Sequence, residues 1–118
     1  MAFNESNVKT FVASAVIAQN LRVMFGTSGT AGQMILAGAA DVAIGVTERP
    51  SYAALDDIPV RLRTASGTVQ MTAAGAFAVG AAITAAANGR VSTGGATPVG
   101  TALEAATAAG DIVEILWI

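Results

Sequence analysis

The sequence predicts a mostly β fold: a small barrel or sandwich built from two similar strand-turn-strand repeats, with one or two short helical connectors. Three observations carry that expectation. Short segments alternate apolar and polar side chains with a period of two, glycines and an Asn-Gly pair interrupt the alanine-rich stretches before a helix can gather several turns, and one ordered set of features occurs twice.

Residues 1–10 are polar and read either as a frayed terminus or as an N-terminal arm that orders on meeting a neighbouring subunit. The rest of the chain, 11–118, reads as a single β-rich domain. Phe3, Asn4, Val8 and Phe11 are its candidate contacts, the two phenylalanines serving as apolar anchors. The first strand-like segment is 8–13. In Leu21-Arg22-Val23-Met24-Phe25, positions 21, 23 and 25 are apolar and share a face, which leaves Arg22 on the other. A turn is expected at 26–32, rich in Gly, Ser and Thr. Val60-Arg61-Leu62-Arg63 alternates in the same way, and Ala87-Asn88-Gly89 marks a hairpin because Asn and Gly tolerate positive φ. The run Ile112-Val113-Glu114-Ile115-Leu116-Trp117-Ile118 is bulky and largely β-branched, so it reads as a strand covered on both faces. Trp117 is expected in the core or at a subunit contact. The connectors 51–55 and 102–109 are the places for a helical turn, with Gly110 ending the second.

The repeat spans about 21–62 and 77–118. In the first copy Gly32-Gln33-Met34 leads to Gly38, Ile44-Gly45-Val46, Glu48, a connector and Asp57-Ile58-Pro59-Val60. In the second, Gly89-Arg90-Val91 leads to Gly95, Val99-Gly100-Thr101, Glu104, a connector and Asp111-Ile112-Val113-Glu114. Matched on this spacing, Glu48 corresponds to Glu104 and Asp57 to Asp111. Units this short do not each close a core, so they are expected to face one another.

Composition narrows the function. With 53% hydrophobic and 12% charged residues, 118 residues in all, the chain makes one domain with an apolar, weakly charged surface that calls for covering by neighbouring copies. The mean hydropathy is +0.61 and the pI about 4.8. The six basic residues are scattered, which argues against a nucleic-acid partner. The most apolar stretch, 73–87, is mostly Ala and Gly and falls short of the ~20 residues that span a bilayer, so no membrane partner is expected. The N-terminus has no basic and apolar regions of a signal peptide.

The chain has no His and no Cys, which removes the usual general base, the commonest metal ligand and the thiol nucleophile. Asp56 and Asp57, adjacent on a strand, point to opposite faces and read as a turn rather than a carboxylate pair. Glu48, Glu104, Asp57 and Asp111 are too few for a calcium or magnesium cage and read as carboxylates bonding backbone amides at corners. The Gly-rich 26–32 and 75–80 lack the Gly-Lys-Ser/Thr ending of a phosphate loop. No enzyme, metal or cofactor is expected.

Ala87-Asn88-Gly89-Arg90-Val91, then Pro98-Val99-Gly100-Thr101-Ala102-Leu103-Glu104, then Gly110-Asp111-Ile112-Val113-Glu114-Ile115 resembles the C-terminal signature of the capsid cement (decoration) proteins of tailed bacteriophages. Ile44-Gly45-Val46-Thr47 with Ile58-Pro59-Val60-Arg61-Leu62 resembles an earlier copy in the same family, so the likeness covers about 8–118. It implies a structural virion protein on the outer surface of the phage head, often a homotrimer, whose partner is the major capsid protein and which strengthens contacts among capsid subunits. It implies no cofactor. The rival expectations are a head fibre or other virion surface attachment protein, which requires a shaft that no sequence after Ile118 supplies, and a small ligand-binding β module, which requires more aromatic platforms than one Trp and one Tyr.

Overall fold

The computed structural model describes residues 8–27, 32–63 and 68–117. Ten strands follow one another: β1 (Val8–Val12), β2 (Arg22–Phe25), β3 (Met34–Leu36), β4 (Gly45–Thr47), β5 (Asp57–Leu62), β6 (Val69–Thr72), β7 (Ala82–Ala85), β8 (Val91–Ser92), β9 (Pro98–Ala102) and β10 (Ile112–Trp117). They form two antiparallel five-stranded sheets, ordered β1-β5-β4-β2-β3 and β6-β10-β9-β7-β8. The second order is the first with every strand moved on by five. The result is mostly β and sandwich-like, and neither sheet closes into a barrel.

Each sheet defines a module, residues 8–62 and residues 69–117. The five-strand plan takes in β1 and β6, ahead of the expected repeat starts at 21 and 77. Of the expected arm, 1–7 lies outside the described residues, and 8–10 opens β1.

The backbone bonds that shape the first module recur in the second. Ala13 N–H donates to Asp56 O and Ala73 N–H to Asp111 O, both at 2.8 Å; Leu55 and Gly110 return the bond to Ala13 and Ala73 at 2.8 Å each. Asn20 N–H bonds Thr47 O as Gly80 N–H bonds Ala102 O. Single parallel bridges, Ala13 to Met34 and Ala73 to Val91, bring the two edge strands of each sheet together at one point. Each sheet therefore curls back toward its own far edge.

That curl changes where the core lies. Instead of one core between facing units, the buried apolar side chains fall into two clusters. Ile17, Leu21, Val23, Met34, Ile58 and Val60 centre the first. The second holds Met71, Ile83, Val91, Val113 and Ile115, and it also takes Val46 from the first module. The segments between β1 and β2 and between β6 and β7 add Ile17 to one cluster and the partly buried Phe77 to the other.

The connectors before β5 and β10 are not helical. The helical element among the described residues is the 3-10 turn Ala87–Gly89 between β7 and β8, where Asn88 and Gly89 take φ of 59° and 74°. The connectors fail to wind because their amides are drawn to a carboxylate and because Leu55 and Gly110 sit at φ of 69° and 93°. Gly45 and Gly100 have a different reason to be glycine. A Cβ on Gly45 would strike the Arg61 carbonyl, and one on Gly100 would strike the Leu116 carbonyl, both on the adjacent strand.

Candidate interaction surfaces

At one tip of each module a carboxylate organises the connector. Asp56 Oδ2 accepts from Tyr52 N–H at 2.9 Å and Ala53 N–H at 3.0 Å. Asp111 Oδ2 accepts from Thr107 N–H at 2.8 Å, Thr107 Oγ1–H at 2.9 Å and Ala108 N–H at 3.2 Å. The bond from the Thr107 amide, then its hydroxyl, then the Ala108 amide favour the ionised carboxylate and hold the Asp111 pKa below the ordinary carboxylate value. The partner of Asp111 is thus Asp56 and not Asp57: the sequence alignment of the repeats was displaced by one residue. Asp57 is exposed at the start of β5 and has Ile112 as its counterpart. Glu48 shifts likewise. Its N–H bonds Pro59 O as Leu103 N–H bonds Glu114 O, so Leu103 is its counterpart. Glu104 bonds a backbone amide within a strand and not at a corner, accepting from Glu114 N–H of β10 at 3.0 Å.

The two tips share this scaffold and differ in what it displays. The first carries Val16, Tyr52 and Leu55, all exposed, with Tyr52 at 82% and Leu55 at 63%. The corresponding residues of the second tip include Thr107 and Gly110. Leu55 holds a left-handed backbone conformation that costs an ordinary residue roughly 1–2 kcal/mol, and its counterpart is a glycine that adopts it freely.

The modules meet through Arg22. The sequence places it on the polar face of β2, but it is 1% exposed, whereas Phe25 from the supposed buried face is half-exposed at the strand end. The polar face of β2 is the one the second module covers. Arg22 Nη2 donates to Ala86 O at 2.7 Å and Arg90 O at 3.0 Å, and Nε also reaches Arg90 O at 3.1 Å. Longer bonds run to Gly38 O and Asp41 O. Desolvation lowers its pKa, and the Asp41 charge works in the opposite direction. Gly89 N–H adds a bond to Ala37 O at 2.7 Å, and Thr72 N–H one to Asn20 O at 3.0 Å. Beside this junction lies a polar cleft of about 280 Å³ lined by Asn20, Glu48, Arg61, Thr68 and Gln70 among others. Among the described residues no group of His, Cys, Asp and Glu is placed to hold a metal ion, and no helix is long and apolar enough to cross a membrane.

The comparisons with known proteins fit this sandwich-like β fold. The family model for phage cement proteins matches residues 4–116. The chain belongs to the phage cement protein family. It is a structural protein associated with the phage head. No curated protein matches this cement-family chain. Among solved structures it is similar to the N base of head fiber gp8.5 of bacteriophage phi29, at a TM-score of 0.77 and 17% identity, covering 94% of this chain and 92% of that one. At that identity the likeness is one of fold.

The contact residues expected from the sequence are dispersed in this cement-family fold. Phe3 and Asn4 lie outside the described residues. Val8 pairs with Arg61 and shares the outer face of the first sheet. Phe11 turns to the opposite face and packs edge-on against Phe25, ring centroids 5.6 Å apart. Trp117 is partly buried against the second cluster and lines the junction with Arg22 and Pro98. Sequence reasoning missed Arg22 and the first tip. The Arg22 signal was present: a lone arginine amid Leu21 and Val23 whose repeat counterpart is alanine. The tip has no periodic signal, because its side chains sit in a turn.

Proposed function

We propose that this chain binds the outer surface of an assembled phage head as a homotrimer and stabilises contacts among major capsid subunits. The observation that carries the reading is the family match along nearly the whole chain, on a fold that leaves Val16, Tyr52, Leu55 and Val79 exposed. A protein that binds only the assembled shell stabilises it by mass action, and many copies on a lattice gain avidity from modest contacts. The first tip, with Val16, Tyr52 and Leu55, is the shell-facing contact in this reading. Its support is the contrast with the second tip, where the same turn is kept and the large apolar side chains are not.

Decorated heads should withstand higher temperature than heads lacking the protein, measured by DNA release during heating. Equal release temperatures would sink the cementing role. The likeness to a head-fibre base favours a second reading, in which this fold anchors a projection. Electron micrographs of heads decorated with the full natural protein separate the two: a low, compact density supports cement, and a rod at each site supports a fibre base.

A further inference from the structure

The Asn88-Gly89 pair at the β7–β8 turn is also a reactive dipeptide, the one place in the sequence where glycine follows asparagine. A side-chain amide is open to attack by the next main-chain nitrogen, and glycine puts no side chain in the way. Asn88 is exposed and sits at φ of 59°, whereas Gly89 is buried. For the pair to react, the Gly89 amide gives its proton to hydroxide and the bared nitrogen attacks Cγ of Asn88. A bond from that nitrogen to Cγ forms, the bond from Cγ to the side-chain nitrogen breaks, and ammonia leaves with a proton taken from water. Water then opens the succinimide at either carbonyl. One opening restores the main chain with aspartate at 88. The other routes the main chain through the side chain as isoaspartate, longer by a methylene. The balance is one water consumed and one ammonia released.

The junction between the modules restrains this nitrogen in three ways. Gly89 N–H donates to Ala37 O at 2.7 Å, a bond that keeps the proton on the atom that must lose it. The Gly89 Cα lies against β2, where a Cβ would stand 2.7 Å from the Arg22 carbonyl oxygen and 3.1 Å from Leu21 Cβ. The nitrogen therefore has no room to swing toward Cγ. Arg22 pins the turn on both sides, donating to Ala86 O and Arg90 O. Leu21, Arg22 and Ala37 all belong to the first module, and the reacting atoms all belong to the second.

We propose that Asn88-Gly89 is a deamidation site gated by the module junction. Shut, the junction suppresses the reaction; each opening that frees Gly89 exposes the pair to hydroxide and water. Where closing is fast, the rate follows the fraction of molecules that are open, as for any chemistry confined to a transiently opened state. The isoaspartate product does not fit the closed turn. Its extra methylene displaces either Gly89 from Ala37 O or the flanking carbonyls from Arg22, so a junction that has reacted in this way does not reseat fully. The site is an irreversible record of opening, accumulated with age and alkalinity, whatever surface the chain binds.

The test holds the folded parent chain, the folded Arg22→Ala variant and the parent in concentrated guanidinium chloride in warm, mildly alkaline buffer. Conversion at residue 88 is followed by mass spectrometry of the tryptic peptide ending at Arg90, with isoaspartate resolved from aspartate by its separate elution. Conversion of the unfolded parent should outrun that of the folded parent at least about tenfold, with Arg22→Ala between the two. Equal rates for folded and unfolded parent, no conversion of the unfolded chain, or a folded Arg22→Ala no faster than the parent each overturn the proposal. Hydrogen exchange at the Gly89 amide needs no variant. Denaturant too dilute to unfold the parent should speed exchange and deamidation in proportion, and deamidation that stays constant while exchange rises overturns the gate. Asn88→Asp should melt with the parent and the isoaspartate fraction should melt lower; equal melting of all three overturns the failure to reseat.

Discussion

The first and second modules share a backbone and differ in their outward side chains. Paired bonds such as Ala13 to Asp56 and Ala73 to Asp111 have the same length, and both sheets run in the same order. Yet the outward positions of β5 are Asp57, Pro59 and Arg61, while those of β10 are Ile112, Glu114 and Leu116. The fold is thus set by inward residues and corner bonds, which both copies keep. What each copy touches is set by residues the fold leaves free to vary.

The sharpest way to break the comparison is Arg22. Arg22→Ala strips the part-buried carbonyls of Ala86 and Arg90 of a charged donor and leaves a void where a fully buried side chain stood, so it should cost about 2–4 kcal/mol in urea unfolding. The mirror substitution Ala82→Arg, at an exposed site, should change stability by less than ~0.5 kcal/mol. Equal effects at the two positions would mean that the junction does not depend on the guanidinium. A smaller and symmetric effect is expected at Gly45 and Gly100. Either Gly→Ala forces adjacent strands apart and should cost about 1–3 kcal/mol by the same assay. A large difference between these two would show that the modules are not equivalent scaffolds.

Leu55→Gly makes the first tip like the second. Relief of the left-handed strain and the added freedom of the unfolded chain nearly offset, so stability should change by no more than ~1 kcal/mol. Occupancy on heads, read by cosedimentation, should fall. Unchanged occupancy would remove the tip from the contact. The smallest effect belongs to Asp111. Its folded-state pKa is depressed, so the stability it contributes is present above the unfolded value of about 3.9 and is lost as the pH falls through the lower folded value. Asp111→Asn should weaken the decline of the melting midpoint below about pH 4. An unaltered decline would assign that acid sensitivity to other carboxylates.

The duplication was legible because Ile44-Gly45-Val46 and Val99-Gly100-Thr101 mark the same close strand contact, and only glycine fits it. The alternating strands were legible for the usual reason that one face is buried. The register between copies was not. Two adjacent aspartates, 56 and 57, offered equal matches to Asp111, and only the hydrogen bonds to Tyr52 and Ala53 decide between them. Two cores in place of one escaped sequence reasoning because the curl of each sheet depends on single long-range bridges, Ala13 to Met34 and Ala73 to Val91, that involve ordinary apolar residues. Alanine-rich connectors suggested helix from propensity, and one carboxylate per corner was enough to hold them in turns.

The bonds around Arg22 bear on how the molecule meets changing surroundings. Its bonded partners are neutral carbonyls, among them the part-buried ones of Ala86 and Arg90. Apart from the Asp41 carboxylate, whose attraction salt can screen, mobile ions find no opposite charge among these bonded partners, and a guanidinium does not give up its proton at ordinary acidity even when burial lowers its pKa. The junction between the modules should therefore hold from dilute buffer to concentrated brine, while contacts made by the charged side chains outside loosen or tighten with the salt around them.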